Sequence, residues 1–100
     1  MAGLPRVRVD ASARQSTVDG TTTVMAEVIN RTKSVVVGIR LILVHADTGE
    51  RVLPAFYDDN YFSLLPGERR TVSIEVGTAA PLKLRTEGWN VEPGELSVRQ

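Results

Sequence analysis

The alternation of apolar and polar residues with a period of two constrains this chain more than any other feature. In "TVSIEV" (Thr71 to Val76), Val72, Ile74 and Val76 fall on one face and Thr71, Ser73 and Glu75 on the other. "LKLRTE" (Leu82 to Glu87) repeats the pattern, with Leu82 and Leu84 set against Lys83, Arg85 and Glu87. "RVRV" (Arg6 to Val9) sets Val7 and Val9 against two arginines. Successive side chains of a strand point to opposite faces, so each segment reads as a strand with one buried and one wet face, the habit of antiparallel sheets. No segment carries the 3.6-residue spacing of an amphipathic helix. The chain reads as all-β.

Two longer segments are apolar on both sides. Thr21 to Asn30 places Val24, Ala26 and Val28 on one face and Met25 and Ile29 on the other. Val35 to His45 places Val35, Val37, Ile39, Leu41 and Leu43 together, and Val36, Ile42 and Val44 opposite them beside Gly38 and Arg40. Such a strand is either central and covered twice, or it turns one face to a neighbour.

The breaks between these runs carry turn chemistry. Asp19-Gly20 and Asp47-Thr48-Gly49-Glu50 supply residues that tolerate positive φ, and Leu65-Pro66-Gly67-Glu68 suits a type II turn. Pro54 belongs at a strand start or edge, because it cannot donate to a ladder. About seven short antiparallel strands with such turns, in a chain of 100 residues, fit an immunoglobulin-like β-sandwich. One domain, 1–100, accommodates them, since a chain this long has surface for one core only.

Composition narrows the partners. Twelve basic residues balance twelve acidic ones. There is no net field toward phosphate or anionic lipid and no basic run, so neither nucleic acid nor membrane is an expected partner. No apolar run reaches the ~18 residues of a helical membrane span. Without cysteine there is no disulfide framework and no thiolate metal site. Met1-Ala2-Gly3 has neither the basic nor the apolar region of a secretion signal, which leaves a mature protein, a cytosolic one or an excised piece of a longer one.

Chemistry concentrates in "YDDNYFSLLPGERRTVSIEV", Tyr57 to Val76, where the acids Asp58 and Asp59 stand among Tyr57, Asn60, Tyr61 and Phe62. Neighbouring carboxylates on an extended backbone point apart, so Asp58 and Asp59 do not flank a glycosidic bond at the ~5 to 9 Å that two-carboxylate hydrolysis needs. Capping and turn roles suit them better. His45 is the sole histidine and ends a strand before a turn, and neither a metal site nor a cofactor is expected. Ser63 alternates with Phe62 and Leu64 as a solvent-face strand residue, with no base near it in sequence. Tyr57, Tyr61, Phe62 and Trp89 suit a sugar-stacking platform, a sandwich core or an interdomain face.

Residues Gly38 to Val76 with Glu87 to Pro93 resemble the C-terminal immunoglobulin-like domain of the large family 2 glycoside hydrolases. Within that family they are most similar to the exo-β-D-glucosaminidase and β-mannosidase-like enzymes. The resemblance rests on Asp59-Asn60-Tyr61-Phe62, then Leu65-Pro66-Gly67-Glu68, then Gly88-Trp89-Asn90, and covers essentially the whole chain. It implies a noncatalytic accessory domain, because the family's two catalytic glutamates lie on a (β/α)₈ barrel of which this chain has no trace. The implied partners are the catalytic barrel and sister sandwich domains of a parent enzyme, with an oligosaccharide as a further one. Tyr57, Asp58, Asp59, Asn60, Tyr61 and Trp89 become candidates for interdomain contact or for the substrate entrance, Tyr57 being the aromatic expected to be free for a partner. Part of Val36, Ile42 and Val44, or of the Tyr57 to Phe62 loop, is expected to form an apolar patch that the missing domains would cover. The alternatives are a carbohydrate-binding module using Tyr57, Tyr61 and Trp89, and a free-standing interaction domain.

Overall fold

A computed structural model describes residues 5–77 and 80–99. Eight strands are assigned: β1 (Asp10–Val18), β2 (Thr21–Ile29), β3 (Val36–His45), β4 (Ala55–Tyr57), β5 (Phe62–Leu64), β6 (Arg69–Val76), β7 (Leu82–Gly88) and β8 (Val91–Ser97). They form two four-stranded antiparallel sheets, ordered β1-β2-β6-β4 (sheet I) and β5-β3-β7-β8 (sheet II). The all-β, immunoglobulin-like sandwich expected from the alternation is what the chain adopts.

The core lies between the sheets and is built from the alternating positions. Val24, Ala26 and Val28 of β2 and Val72, Ile74 and Val76 of β6 face Ile39, Leu41 and Leu43 of β3 and Leu82 and Leu84 of β7. Side chains of this size stabilise by roughly 1.5–3 kcal/mol each when fully buried. The turns fall where the sequence places them. Asp19 and Gly20 take φ of 51° and 80° between β1 and β2, and Gly67, at φ 84°, closes the Leu65–Glu68 turn before β6.

Three features depart from the alternation. The first is in β3. Its pairing with β5 shifts register between Val36 and Ile39, around Gly38 at φ 67°. The extra residue inverts the parity of everything before it, so Val36 rather than Val35 or Val37 enters the core beside Ile39.

The second concerns the expected patch. Val36, Ile42 and Val44 are all buried inside the single domain, at 0%, 8% and 0% exposure. The bulge takes Val36 inward. Register sets Ile42 opposite Arg85 and Val44 opposite Lys83 on β7, and Val44 also bridges Arg51. Cross-strand partners share a face, so long cationic side chains flank these two apolar groups. The other half of the expectation, the Tyr57 to Phe62 loop, does expose an aromatic, Tyr61 at 67%, and Phe56 of β4 is also 67% exposed.

The third is the N-terminal segment. Arg6 to Val9 makes a single parallel bridge, from Val7 to Val91, through Val7 N–H to Asn90 O (2.8 Å) and Glu92 N–H to Val7 O (2.9 Å). The strand itself begins at Asp10 and pairs with β2, so the chain lies first along sheet II and then joins sheet I. At the far end, Arg99 bonds both Ala13 O (2.9 Å, from its N–H) and Gln15 N–H (2.7 Å, to its carbonyl), joining the chain ends across one side of the sandwich.

Candidate functional site

Residues 57–62 carry the chain from sheet I to sheet II, and the side chains of Tyr57, Asp58 and Asn60 complete backbone pairings that the crossing would otherwise leave open. β4 ends at Tyr57, paired with Ile74 of β6. Asp58 extends that ladder by one step: its N–H donates to Ser73 O (3.0 Å) and its carboxylate accepts from Ser73 N–H (2.9 Å). Asp59 then takes the Arg70 guanidinium, which lies 4.9 Å from the centroid of the Phe62 ring.

On sheet II, β5 pairs with β3 only as far as Ile39. The next residues on that edge of β3 are served by side chains. The amide of Asn60 stands in for a strand backbone, its Oδ1 accepting from Leu41 N–H (2.8 Å) and its Nδ2 donating to Leu41 O (3.1 Å). The Tyr57 hydroxyl accepts from Leu43 N–H (3.0 Å). Leu43 O then receives Val52 N–H (3.0 Å), and His45 N–H reaches Glu50 O (2.8 Å). Buried backbone groups are costly to leave unpaired, and here every second residue from Ile39 to His45 is paired by a different device.

Tyr57, Asp58, Asp59 and Asn60 thus each make a bond within the fold. Tyr57, expected to be the free aromatic, is half-buried with its hydroxyl engaged. The aromatics open to solvent are Tyr61 and Trp89, 67% and 65% exposed, and Phe56 on β4. Tyr61 turns outward because the crossing forces it to φ 57°, and Phe62 next to it turns into the core as the first residue of β5. The Arg40 guanidinium lies 5.6 Å from the Tyr61 ring centroid and is ion-paired to Glu87 at 3.2 Å.

Trp89 sits at the β7–β8 turn, held by its N–H on Val37 O (3.0 Å). Its neighbour Asn90 is buried and locks three segments. Oδ1 accepts from Val37 N–H (2.9 Å), and Nδ2 donates to Val35 O (2.9 Å) and Pro5 O (3.2 Å). Tyr61, Gly38, Arg40 and Glu87 line one open groove with Arg6 and Pro93. A second groove on the other side of Tyr61 is lined by Arg40, Ile42, Arg51, Leu53, Tyr57 and Asn60, among others. The flanking outer face of sheet II carries Lys83 and Arg85 on one carboxylate, Glu95, at 3.4 and 2.9 Å. The Arg85 hydrogen bond, with Lys83 assisting, holds the Glu95 carboxyl below its ordinary range.

Reasoning from sequence missed the arginines Arg6, Arg40 and Arg51. The available signal was Arg40 itself, a lone charge inside a strand otherwise apolar on both faces. Ser63 lies on the solvent face as expected, its Oγ accepting from Gly38 N–H (3.3 Å). Among the described residues no three His, Asp or Glu side chains gather as a metal-ligating group.

The side-chain duties set a test. Asn60→Ala leaves Leu41 N–H and C=O without partners and should lower the free energy of unfolding by ~1–3 kcal/mol. Tyr61→Ala should leave it within ~0.5 kcal/mol. Urea midpoints of the two variants measured side by side check the contrast, and equal losses would contradict it.

Two antiparallel sheets joined by a side-chain-capped crossing define an immunoglobulin-like sandwich. The chain belongs to the family of exo-β-D-glucosaminidase Ig-fold domains, whose model matches residues 1–91. It is 34% identical to an exo-β-D-glucosaminidase of Arthroderma benhamiae over 90 residues, covering 86% of this chain and 9% of that protein. An exo-β-D-glucosaminidase of Streptomyces avermitilis is also 34% identical, over 100 residues, covering 90% of this chain and 11% of that one. A mannosylglycoprotein endo-β-mannosidase of Lilium longiflorum is 44% identical over 50 residues, covering 48% of this chain and 5% of that protein. Among solved structures, the Amycolatopsis orientalis exo-chitosanase CsxA superposes with a TM-score of 0.84 at 26% identity, covering 94% of this chain and 12% of that one. The chain therefore spans about a tenth of the length of the exo-β-D-glucosaminidases it matches.

Proposed function

We propose that this chain is a noncatalytic accessory sandwich of a multidomain glycoside hydrolase acting on β-linked glucosamine, or on β-mannosides as the nearest alternative. Its work is to brace the catalytic barrel, with the Tyr61 and Trp89 side of sheet II turned toward the rest of the enzyme and bordering the substrate entrance. One observation carries the reading. The acids that a hydrolytic site would use, Asp58 and Asp59, are bound to Ser73 N–H and to Arg70, both on β6 of sheet I. An acid/base pair for glycoside cleavage needs two carboxyl groups facing one bond across a gap of ~5 to 9 Å, which these engagements do not offer.

The second reading, a carbohydrate-binding module, draws on the exposure of Tyr61 and Trp89. One set of assays separates the two. The isolated chain is expected to leave aryl β-glucosaminides and β-mannosides unhydrolysed above background, and to show no saturable binding of chitosan or mannan oligosaccharides at millimolar ligand. Turnover abolished by Asp58→Ala or Asp59→Ala would overturn the noncatalytic reading. Saturable binding lost in Tyr61→Ala or Trp89→Ala would establish the binding module instead.

A further inference from the structure

The outer face of sheet II is charged differently from the chain as a whole. Along it and its two grooves stand five cations, Arg6, Arg40, Arg51, Lys83 and Arg85, against two carboxylates, Glu87 and Glu95, a surplus of three in a chain whose net charge is zero. Arg8 and Glu92 pair with each other and leave the balance unchanged. Arg40 is committed to Glu87, and Lys83 and Arg85 share Glu95. Arg6 and Arg51 have no ion pair among the described residues. They are placed symmetrically in function: Arg6 lines the groove on one side of Tyr61 and Arg51 the groove on the other. The Tyr61 ring, braced by Arg40, forms the ridge between them, with Leu53, 79% exposed, on the far lip.

We propose that the Tyr61 ridge with Arg6 and Arg51 is the docking face for a carboxylate-bearing surface of another domain in the same polypeptide. An exposed aromatic flanked by unpaired guanidiniums is the composition of an interface centre, where Tyr and Arg supply anchoring and acidic partners supply register. The surplus of positive charge selects among occupants. A second copy of this chain would set arginine against arginine across a twofold axis, and like charges brought together cost several kcal/mol. A glucosamine oligosaccharide is itself cationic when protonated and meets the same repulsion, so this ridge is not where such a substrate rests. An acidic protein surface meets no such barrier, and in the exo-β-D-glucosaminidases this chain matches about nine tenths of the length lies outside the matched region. The inference rests on the reading of the chain as one domain of a multidomain enzyme.

The test uses the full polypeptide that carries this chain, as wild type, as the double variant Arg6→Glu/Arg51→Glu, and as Arg14→Glu, a charge reversal on β1 away from the ridge. Release of this domain by limited proteolysis is followed at low and high salt. The double variant is expected to release the domain about tenfold faster than wild type, Arg14→Glu at the wild-type rate, and added salt to speed wild type toward the double variant. The isolated domain, wild type and double variant, should keep one urea midpoint and sediment as a monomer. Equal release by wild type and double variant in an active multidomain glycosidase overturns the docking face alone. A dimer of the isolated domain that the double variant dissolves replaces the proposed occupant with a second copy. A reading frame that encodes no further domain overturns both this inference and the function proposed above.

Discussion

Replacing Phe62 by alanine should lower the stability of this domain by about 3–5 kcal/mol, the range for removing a buried phenylalanine and leaving its cavity. Phe62 is 6% exposed, opens β5 opposite Ile39, and lies in the core between the sheets. Its outer edge is closed by Arg70, which Asp59 holds over the ring, so the substitution also strips a cation–π partner from an arginine already drawn inward. Phe62→Leu keeps most of the volume and should cost under ~1.5 kcal/mol. Urea denaturation with an unchanged m-value would read both numbers as stability. A loss below ~1 kcal/mol for Phe62→Ala would mean that this ring, like that of Tyr61, contributes little to the fold.

A different failure is expected from Asn90→Ala. The side-chain amide serves Val37 N–H, Val35 O and Pro5 O at once, and the backbone carbonyl of the same residue holds Val7. Truncation opens these bonds together, with roughly 1–3 kcal/mol attached to each polar group left buried without a partner, and it frees the 5–9 segment from sheet II. Asn90→Asp should be no better, because it keeps an acceptor for Val37 N–H while presenting a carboxylate to two carbonyl oxygens. Hydrogen exchange is the discriminating measurement. Val7 and Glu92 amides should lose protection ahead of Ile74 and Leu84 in the core. If protection falls uniformly, or if the urea midpoint does not move, the lock assigned to Asn90 is wrong.

The comparison of these two residues explains what the sequence could and could not reveal. β6 and β7 are legible because each has one wet face, so period two leaves no choice of which side is buried. β3 is apolar on both sides, and its parity is settled by a bulge at Gly38 that hydrophobicity does not mark. A glycine inside a strand pattern is the only hint. β1 was hidden for the opposite reason, since its inward positions include Ala13 and Gln15, and the strand exists because β2 and Arg99 pair with it. In the 57–62 run the residue types were informative and their assignment was not. Which aromatic points inward depends on where the chain changes sheets, and that is fixed by partners on β3 and β6 far away in sequence.

Capping strand edges with single side chains and with the chain's own ends has a consequence for a domain that lives beside others. A free strand edge invites pairing with a foreign strand, and neighbouring sandwiches tethered on one polypeptide meet at high effective concentration. Here the exposed side of β8 is occupied by Val7, the side of β1 by Arg99, and the end of β3 by Asn60 and Tyr57. None of these devices adds a strand, and each fills hydrogen-bonding positions that an intruding strand would need. Of the polar residues that look like chemistry in the sequence, Asn60 and Tyr57 hold positions on β3 that an exchanging strand would have to take from them, a safeguard against misassembly.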